Sequence, residues 1–190
     1  GVANMKFTEL PLKGAYTIDL EKMEDDRGFF ARSWCMNEFA EHGLDINILQ
    51  INNSFCKQKG TLRGLHFQCP PKAESKIVRC IKGSLWDVIV DLRENSNTYA
   101  KWSGVELNAI NRTMIYVPKG FAHGFISLTK NTEVIYMATE LYSPDLERVL
   151  RWDDDVIGIK WPIEPVIISK KDSSAMRIQE NKSKFKLLIK

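Results

Sequence analysis

The chain has 190 residues, 44% of them apolar and 27% charged, with a formal net charge of +3. That length fits one domain with a substantial core, and the composition is ordinary for a globular protein. The charge is too small to argue for a nucleic-acid partner, the tail 182–190 being the one weakly basic run. No apolar stretch approaches the roughly 20 residues that cross a bilayer as a helix.

No signal-peptide pattern opens the chain, and Gly1-Val2-Ala3-Asn4 before Met5 reads as an expression scar. Cys35, Cys56, Cys69 and Cys80 lie far apart with no CxxC pair. They are expected to be free thiols in a reducing cytoplasm.

In chain order, residues 16–19 suggest a first strand, and Glu24 to Gly28 a turn, with extended chain resuming at 29–34. Asn37 is the expected N-cap of a helix of about two turns, stopped by Gly43. From Ile46 onward the pattern is almost wholly β, with strands expected at 48–55, 62–68, 76–81, 85–92, 104–107, 114–117, 125–127 and 133–142. Turn signals recur between them, among them Lys59-Gly60, Pro70-Pro71, Lys82-Gly83 and Lys130-Asn131. Many short strands at this spacing mean a sandwich or barrel. In 85–92, Trp86, Val88, Val90 and Leu92 form an apolar stripe alternating with Asp87, Ile89 and Asp91, the pattern of a strand with one packed face. Beyond Pro144 the chain turns irregular, and 173–190 reads as a terminal helix and solvated tail. No repeat or linker marks a domain boundary.

The stretch 61–79, TLRGLHFQCPPKAESKIVR, carries the densest chemistry. If its two strands form an antiparallel hairpin about Pro70-Pro71, His66 stands opposite Lys76 on one face. A near-neutral base facing an ammonium suits removal of a proton from carbon while a positive charge holds the enolate. Asp172, in a Ser-Lys-Lys-Asp-Ser turn, can orient His66 only if the fold returns it; spacing leaves this open. Arg63, three residues before His66, turns to the same face only if Gly64 permits a bulge. Gln50 and Asn52 share a face and offer neutral hydrogen bonds. His123, between Gly120 and Gly124, is a weak signal taken singly. Along 133–142, alternation puts Tyr136, Ala138, Glu140 and Tyr142 together, either lining a barrel interior or facing water. Three histidines without His-x-His or facial-triad spacing make a metal site the weaker expectation.

Taken together, Asp26-Arg27-Gly28-Phe29-Phe30, Gln50-Ile51-Asn52-Asn53-Ser54, Leu62-Arg63-Gly64-Leu65-His66-Phe67-Gln68, Lys76-Ile77-Val78-Arg79, Val88-Ile89-Val90-Asp91-Leu92-Arg93, Pro118-Lys119-Gly120-Phe121-Ala122-His123-Gly124-Phe125, Tyr136 with Tyr142, and Ile159-Lys160-Trp161-Pro162 resemble the dTDP-4-dehydrorhamnose 3,5-epimerase family. The order and spacing of these motifs carry the resemblance over roughly 7–175. It implies an all-β, cupin-type jelly-roll barrel with short peripheral helices, a homodimer, and no metal or other cofactor. It implies a nucleotide-linked 4-keto-6-deoxy sugar as substrate, epimerised at C3 and C5 or at C3 only, in deoxysugar biosynthesis. By position, His66 is the base oriented by Asp172, Lys76 stabilises the C4 enolate, and Tyr136 returns a proton on the opposite face. Arg27, Gln50, Asn52, Arg63, His123, Tyr142, Glu147 and Lys171 line the sugar-nucleotide site.

One position departs from the family. Members that bind thymidine commonly carry glutamate two residues after the paired phenylalanines, where this chain has Arg32. The expected nucleotide is therefore dTDP first, with GDP and CDP open. The competing readings are a catalytically silent cupin that binds a sugar nucleotide and a ketoisomerase of the same fold.

Overall fold

A computed structural model describes residues 4–190; residues 1–3 of the segment read as an expression scar lie outside that range. The strands begin with β1 (Met5–Glu9) and β2 (Tyr16–Leu20), then a ribbon of β3 (Met23–Asp25) and β4 (Gly28–Phe30). After helix α1 (Met36–Glu41) come β5 (Gln50–Cys56), β6 (Thr61–Gln68), β7 (Lys76–Lys82) and β8 (Ser84–Asp91). Next are β9 (Trp102–Asn108), β10 (Met114–Val117), β11 (Phe121–Ser127) and β12 (Thr132–Ala138). The short β13 (Glu147–Val149) and β14 (Ile167–Ile168) precede helix α2 (Lys170–Ser173).

Two sheets face each other, one ordered β1-β2-β10-β7-β12-β5 and the other β13-β6-β11-β8-β9, with β14 added parallel to β6. This is the expected all-β jelly roll with short peripheral helices. Between the sheets, Val78, Cys80, Leu85, Ile89, Ile115, Phe125 and Val134 pack into one apolar core. The outer face of the first sheet is covered by α1 through Phe39, against Ile18, Ile77 and Met114. The outer face of the second is covered by the C-terminal segment, with Ile178, Phe185 and Leu187 packed on Val88, Val90 and Leu92. One end of the space between the sheets is left without apolar filling, and the polar cavity lies there.

The expected hairpin does not form. β6 pairs with β11 and β13 in one sheet, while β7 pairs with β10 and β12 in the other. The connection through Pro70-Pro71 is a crossover: two prolines remove backbone donors, and each strand finds its partners in a different sheet. His66 and Lys76 consequently stand on facing sheets.

Other expectations are also corrected. α1 is capped at Cys35, with no side-chain cap, and not at Asn37; Gly43 does end it, at φ +70°. β12 stops at Ala138, so Glu140 and Tyr142 lie beyond the strand. β8 is packed on both faces: its apolar stripe meets the C-terminal segment, while Asp87, Ile89 and Asp91 point between the sheets and are fully buried. Residues 173–190 are neither one helix nor a solvated tail, holding only a 3-10 turn at Lys182–Phe185 and burying Ile178, Phe185 and Leu187.

Candidate active site

Gly64 shapes the floor of the site. In the β6–β11 pairing, His66 faces His123 and Arg63 faces Phe125, so two residues on β6 oppose Gly124 alone. That is a bulge. Gly64 adopts φ +125°, and a Cβ there would lie 2.7 Å from Gly124 Cα and 2.8 Å from His123 O. Only glycine fits. The bulge turns Arg63 and His66 to the same side, as the sequence required.

The cavity has two adjoining lobes. The first, about 420 Å³, is lined by Gln50, Asn52, His66, Gln68, Glu74, Lys76, Tyr136, Tyr142 and Glu147. The second, about 320 Å³, shares His66, Lys76 and Tyr136 and adds Arg63, His123 and Gly124. His66 on one sheet and Tyr136 on the other therefore open into one space. Strand alternation delivers both, and Tyr136 pairs directly with Asn52 on β5.

Behind His66 lies Asp172, brought from the far end of the chain by α2. Its Oδ1 holds His66 Nε2 at 2.7 Å, and its Oδ2 accepts the Gly64 N–H at 2.9 Å. Ser169 caps α2 by accepting from the Asp172 N–H at 3.1 Å. Burial pushes the Asp172 carboxyl up, but the bonds from His66 and Gly64 outweigh it and hold the group below the ordinary carboxylate value. The carboxylate orders the imidazole with Nε2 inward, leaving Nδ1 as the basic atom.

Lys76 Nζ sits 5.8 Å from the centre of the Tyr136 ring and 3.4 Å from Glu74 Oε1. Burial, and next the charge of Glu74, raise the Tyr136 phenol above its ordinary value. It stays protonated and can donate. At the rim, Glu147 Oε2 accepts from Lys171 Nζ at 2.7 Å and from the Tyr142 hydroxyl at 2.9 Å. Burial raises the Glu147 carboxyl, yet these two bonds bring it below the usual range. Gln50 Oε1 accepts the Tyr142 N–H at 2.6 Å. His123 is buried, with Nε2 2.7 Å from Asp87 Oδ2. Among the described residues, no group of three or more His, Cys, Asp or Glu is placed to hold a metal ion.

Of the twelve residues singled out, Arg27 alone is far from the cavity. It occupies the β3–β4 turn, its side chain 89% exposed and bound to Asp25. A turn needs only a local carboxylate to hold such a guanidinium, and Arg27 has one. Arg32 is likewise absent from the lining of both lobes. Among the lining residues that escaped the sequence reading are Gln68 and Glu74. Gln68, the last residue of β6, lies two positions after His66, and Glu74, just ahead of β7, lies two before Lys76, so alternation turns both toward the cavity. Gln68 is buried and ties the crossover to the 141–143 segment, donating to Lys72 O at 2.8 Å and accepting the Ser143 N–H at 2.7 Å.

Comparison with known proteins bears on the family and the fold. The sequence model of the dTDP-4-dehydrorhamnose 3,5-epimerase family matches residues 9–180. The chain belongs to this family. It is 44% identical over 183 residues to the dTDP-4-dehydrorhamnose 3,5-epimerase of Methanothermobacter thermautotrophicus, covering 95% of this chain and 98% of that one. The crystal structure of a dTDP-6-deoxy-D-glucose-3,5-epimerase from Legionella pneumophila Philadelphia 1, in complex with dTDP-4-keto-L-rhamnose, superposes with a TM-score of 0.91 at 32% identity, covering 98% and 100% of the two chains. A 3'-monoepimerase from Streptomyces bikiniensis, in complex with dTDP-quinovose, gives 0.84 at 29% identity over 92% and 88%. As an epimerase of this family the protein is an isomerase, and its two-sheet roll is the family's fold.

Proposed function

We propose that the protein inverts C3 and C5 of a nucleotide-linked 4-keto-6-deoxy sugar, dTDP-linked in the first instance. The observation that carries the reading is that His66 and Tyr136 open into one cavity from facing sheets, with Lys76 beside the phenol ring. Carbons 3 and 5 both adjoin the C4 ketone, so one oxygen acidifies both C–H bonds. His66 Nδ1 takes the proton from carbon, and the electron pair moves onto the C4 oxygen, where the Lys76 ammonium meets it. The Tyr136 hydroxyl then protonates the same carbon from the other face, and solvent resets both groups. The sequence is redox-neutral and asks for no cofactor.

Arg63, His123, Lys171, Gln50, Asn52, Tyr142 and Glu147 are assigned to holding the sugar nucleotide, with Arg63 and Lys171 as cations for the diphosphate. Arg32 motivates testing GDP- and CDP-linked sugars beside dTDP. A homodimer and a cytoplasmic setting belong to the same proposal. Phe29, Phe30, Ile51 and Phe55 are all at least 41% exposed, an apolar surface that a second copy would cover. Light scattering tests the dimer.

The decisive experiment supplies dTDP-, GDP- and CDP-linked 4-keto sugars in heavy water and follows C3 and C5 by NMR. Deuterium entering with inversion supports the reading, and label at C3 alone makes the protein a 3-epimerase. A folded protein that labels no substrate sinks the enzyme reading in favour of a silent binder; a moved ketone identifies a ketoisomerase.

A further inference from the structure

Glu74 has no place in the two-base scheme above, yet it lines the cavity and is paired with Lys76. It lies in the crossover just before β7 and lines the first lobe. Its Oε1 is 3.4 Å from Lys76 Nζ, and the two side chains are only 14% and 12% exposed. The backbone between them is pinned: the Ser75 N–H donates to Thr139 Oγ1 at 2.8 Å, and the Ser75 carbonyl accepts the Thr139 N–H at 3.1 Å. The Ser75 hydroxyl is bonded to the buried Tyr116 hydroxyl at 3.1 Å. Glu74 and Lys76 are therefore offered to the cavity from a fixed main chain.

We propose that Glu74 is a positioning residue for the epimerisation: it anchors the Lys76 ammonium beside the Tyr136 ring, so that one carboxylate organises both the enolate's cation and the proton donor. The inference rests on the roles given above to Lys76 and Tyr136. A lysine is a flexible point charge with three donors. Pairing the ammonium with Glu74 leaves its N–H groups for the ketone oxygen and keeps the cation from wandering along the cavity.

The same negative charge opposes ionisation of the neighbouring phenol, second only to burial itself. Other charged groups bear on the pair. Asp87 on β8 acts on Lys76, while Glu147 from β13 and Arg63 from β6 act on Tyr136. His66 and His123 complete the facing wall. Among these, Glu74 alone is ion-paired with Lys76.

The test compares wild type, Glu74→Gln and Glu74→Asp. It measures kcat and KM for solvent exchange into the keto sugar, and the ionisation of Tyr136 in the free protein by NMR, assigned with Tyr136→Phe. Glu74→Gln is expected to lower kcat on the order of 10- to 100-fold with KM little changed. It should also move the Tyr136 midpoint to lower pH. Glu74→Asp, which keeps the charge, should restore most of that midpoint. Wild-type kcat in Glu74→Gln, a change in KM alone, or an unmoved Tyr136 midpoint overturns the inference while leaving the epimerase reading intact. Should wild type exchange no label, the epimerase reading fails by itself, and the midpoint alone decides whether Glu74 governs the phenol.

Discussion

His66 and His123 sit directly opposite one another across β6 and β11, and each holds a different carboxylate through Nε2. The two pairs are not equivalent. The His66 side chain is 31% exposed to the cavity, whereas that of His123 is 9% exposed over a fully enclosed Asp87. Burial, the leading influence, pushes the Asp87 carboxyl up, while Asp172 is held low by its hydrogen bonds. The imidazole that opens to the cavity is the one placed to take a proton from a bound sugar.

The first prediction follows from that asymmetry. His66→Ala should lower exchange at C3 and C5 by about 10² to 10⁴-fold while nucleotide binding, read by calorimetry, is retained. His123→Asn should raise KM more than it lowers kcat. The reverse ranking would assign the base to His123.

Tyr136 supplies the second. Without a donor on the far face, an enolate formed by His66 can regain its proton only from His66 itself. Tyr136→Phe should therefore incorporate solvent deuterium into the keto sugar with retention, and net inversion should fall by about 10²-fold or more. NMR of the labelled sugar separates exchange from inversion. Inversion at the wild-type rate would remove Tyr136 as the acid.

Asp172 ties chemistry to stability. Its carboxyl lies below the ordinary value of 3.8 in the folded state, so it binds its proton more weakly folded than unfolded. The stability it contributes is thus complete above that ordinary value and is lost as pH falls through the lower folded one. Asp172→Asn should be less stable than wild type near neutral pH, by about 1.5–3 kcal/mol for its charge-assisted bonds, with the gap closing as pH falls below the ordinary carboxylate value. Turnover should fall by about 10² to 10⁴-fold, because asparagine no longer enforces the imidazole tautomer. A gap independent of pH would mean that Asp172 is not ionised in the fold.

How far the sequence carried these residues depended on the range of the signal. Alternation is local, and it put Tyr136 on the same face as Ala138 and paired Gln50 with Asn52. The need for a bulge at Gly64 was visible because Arg63 and His66 have opposite parity in a regular strand. Strand partners are not local. Nothing in 62–68 or 76–81 says that the two strands join different sheets, so the hairpin expectation failed while the facing of His66 and Lys76 survived in another form. The return of Asp172 to His66 depends on every strand between them. Parity also extends to Gln68, the last residue of β6, and past the start of β7 to Glu74, which keeps the cavity-facing alternation just outside its strand.

The C-terminal segment was misjudged for a related reason, and the final prediction tests the correction. Four lysines and a glutamate among residues 180–190 make the tail look solvated, but Phe185 and Leu187 are spaced to bury between them. Phe185 is 2% exposed and packs against the Phe67 ring, with centroids 6.0 Å apart. Its carbonyl accepts the Tyr99 hydroxyl at 2.9 Å, and the Leu187 N–H donates to Leu92 O at 2.8 Å. This segment seals the outer face of the strand whose inner face carries Asp87. Phe185→Ala should therefore destabilise the fold by about 3–5 kcal/mol, as for a large aromatic removed from a core. A solvated tail would lose less than about 0.5 kcal/mol. Chemical denaturation of the two proteins distinguishes these outcomes, and a change at the lower figure would return the segment to the surface.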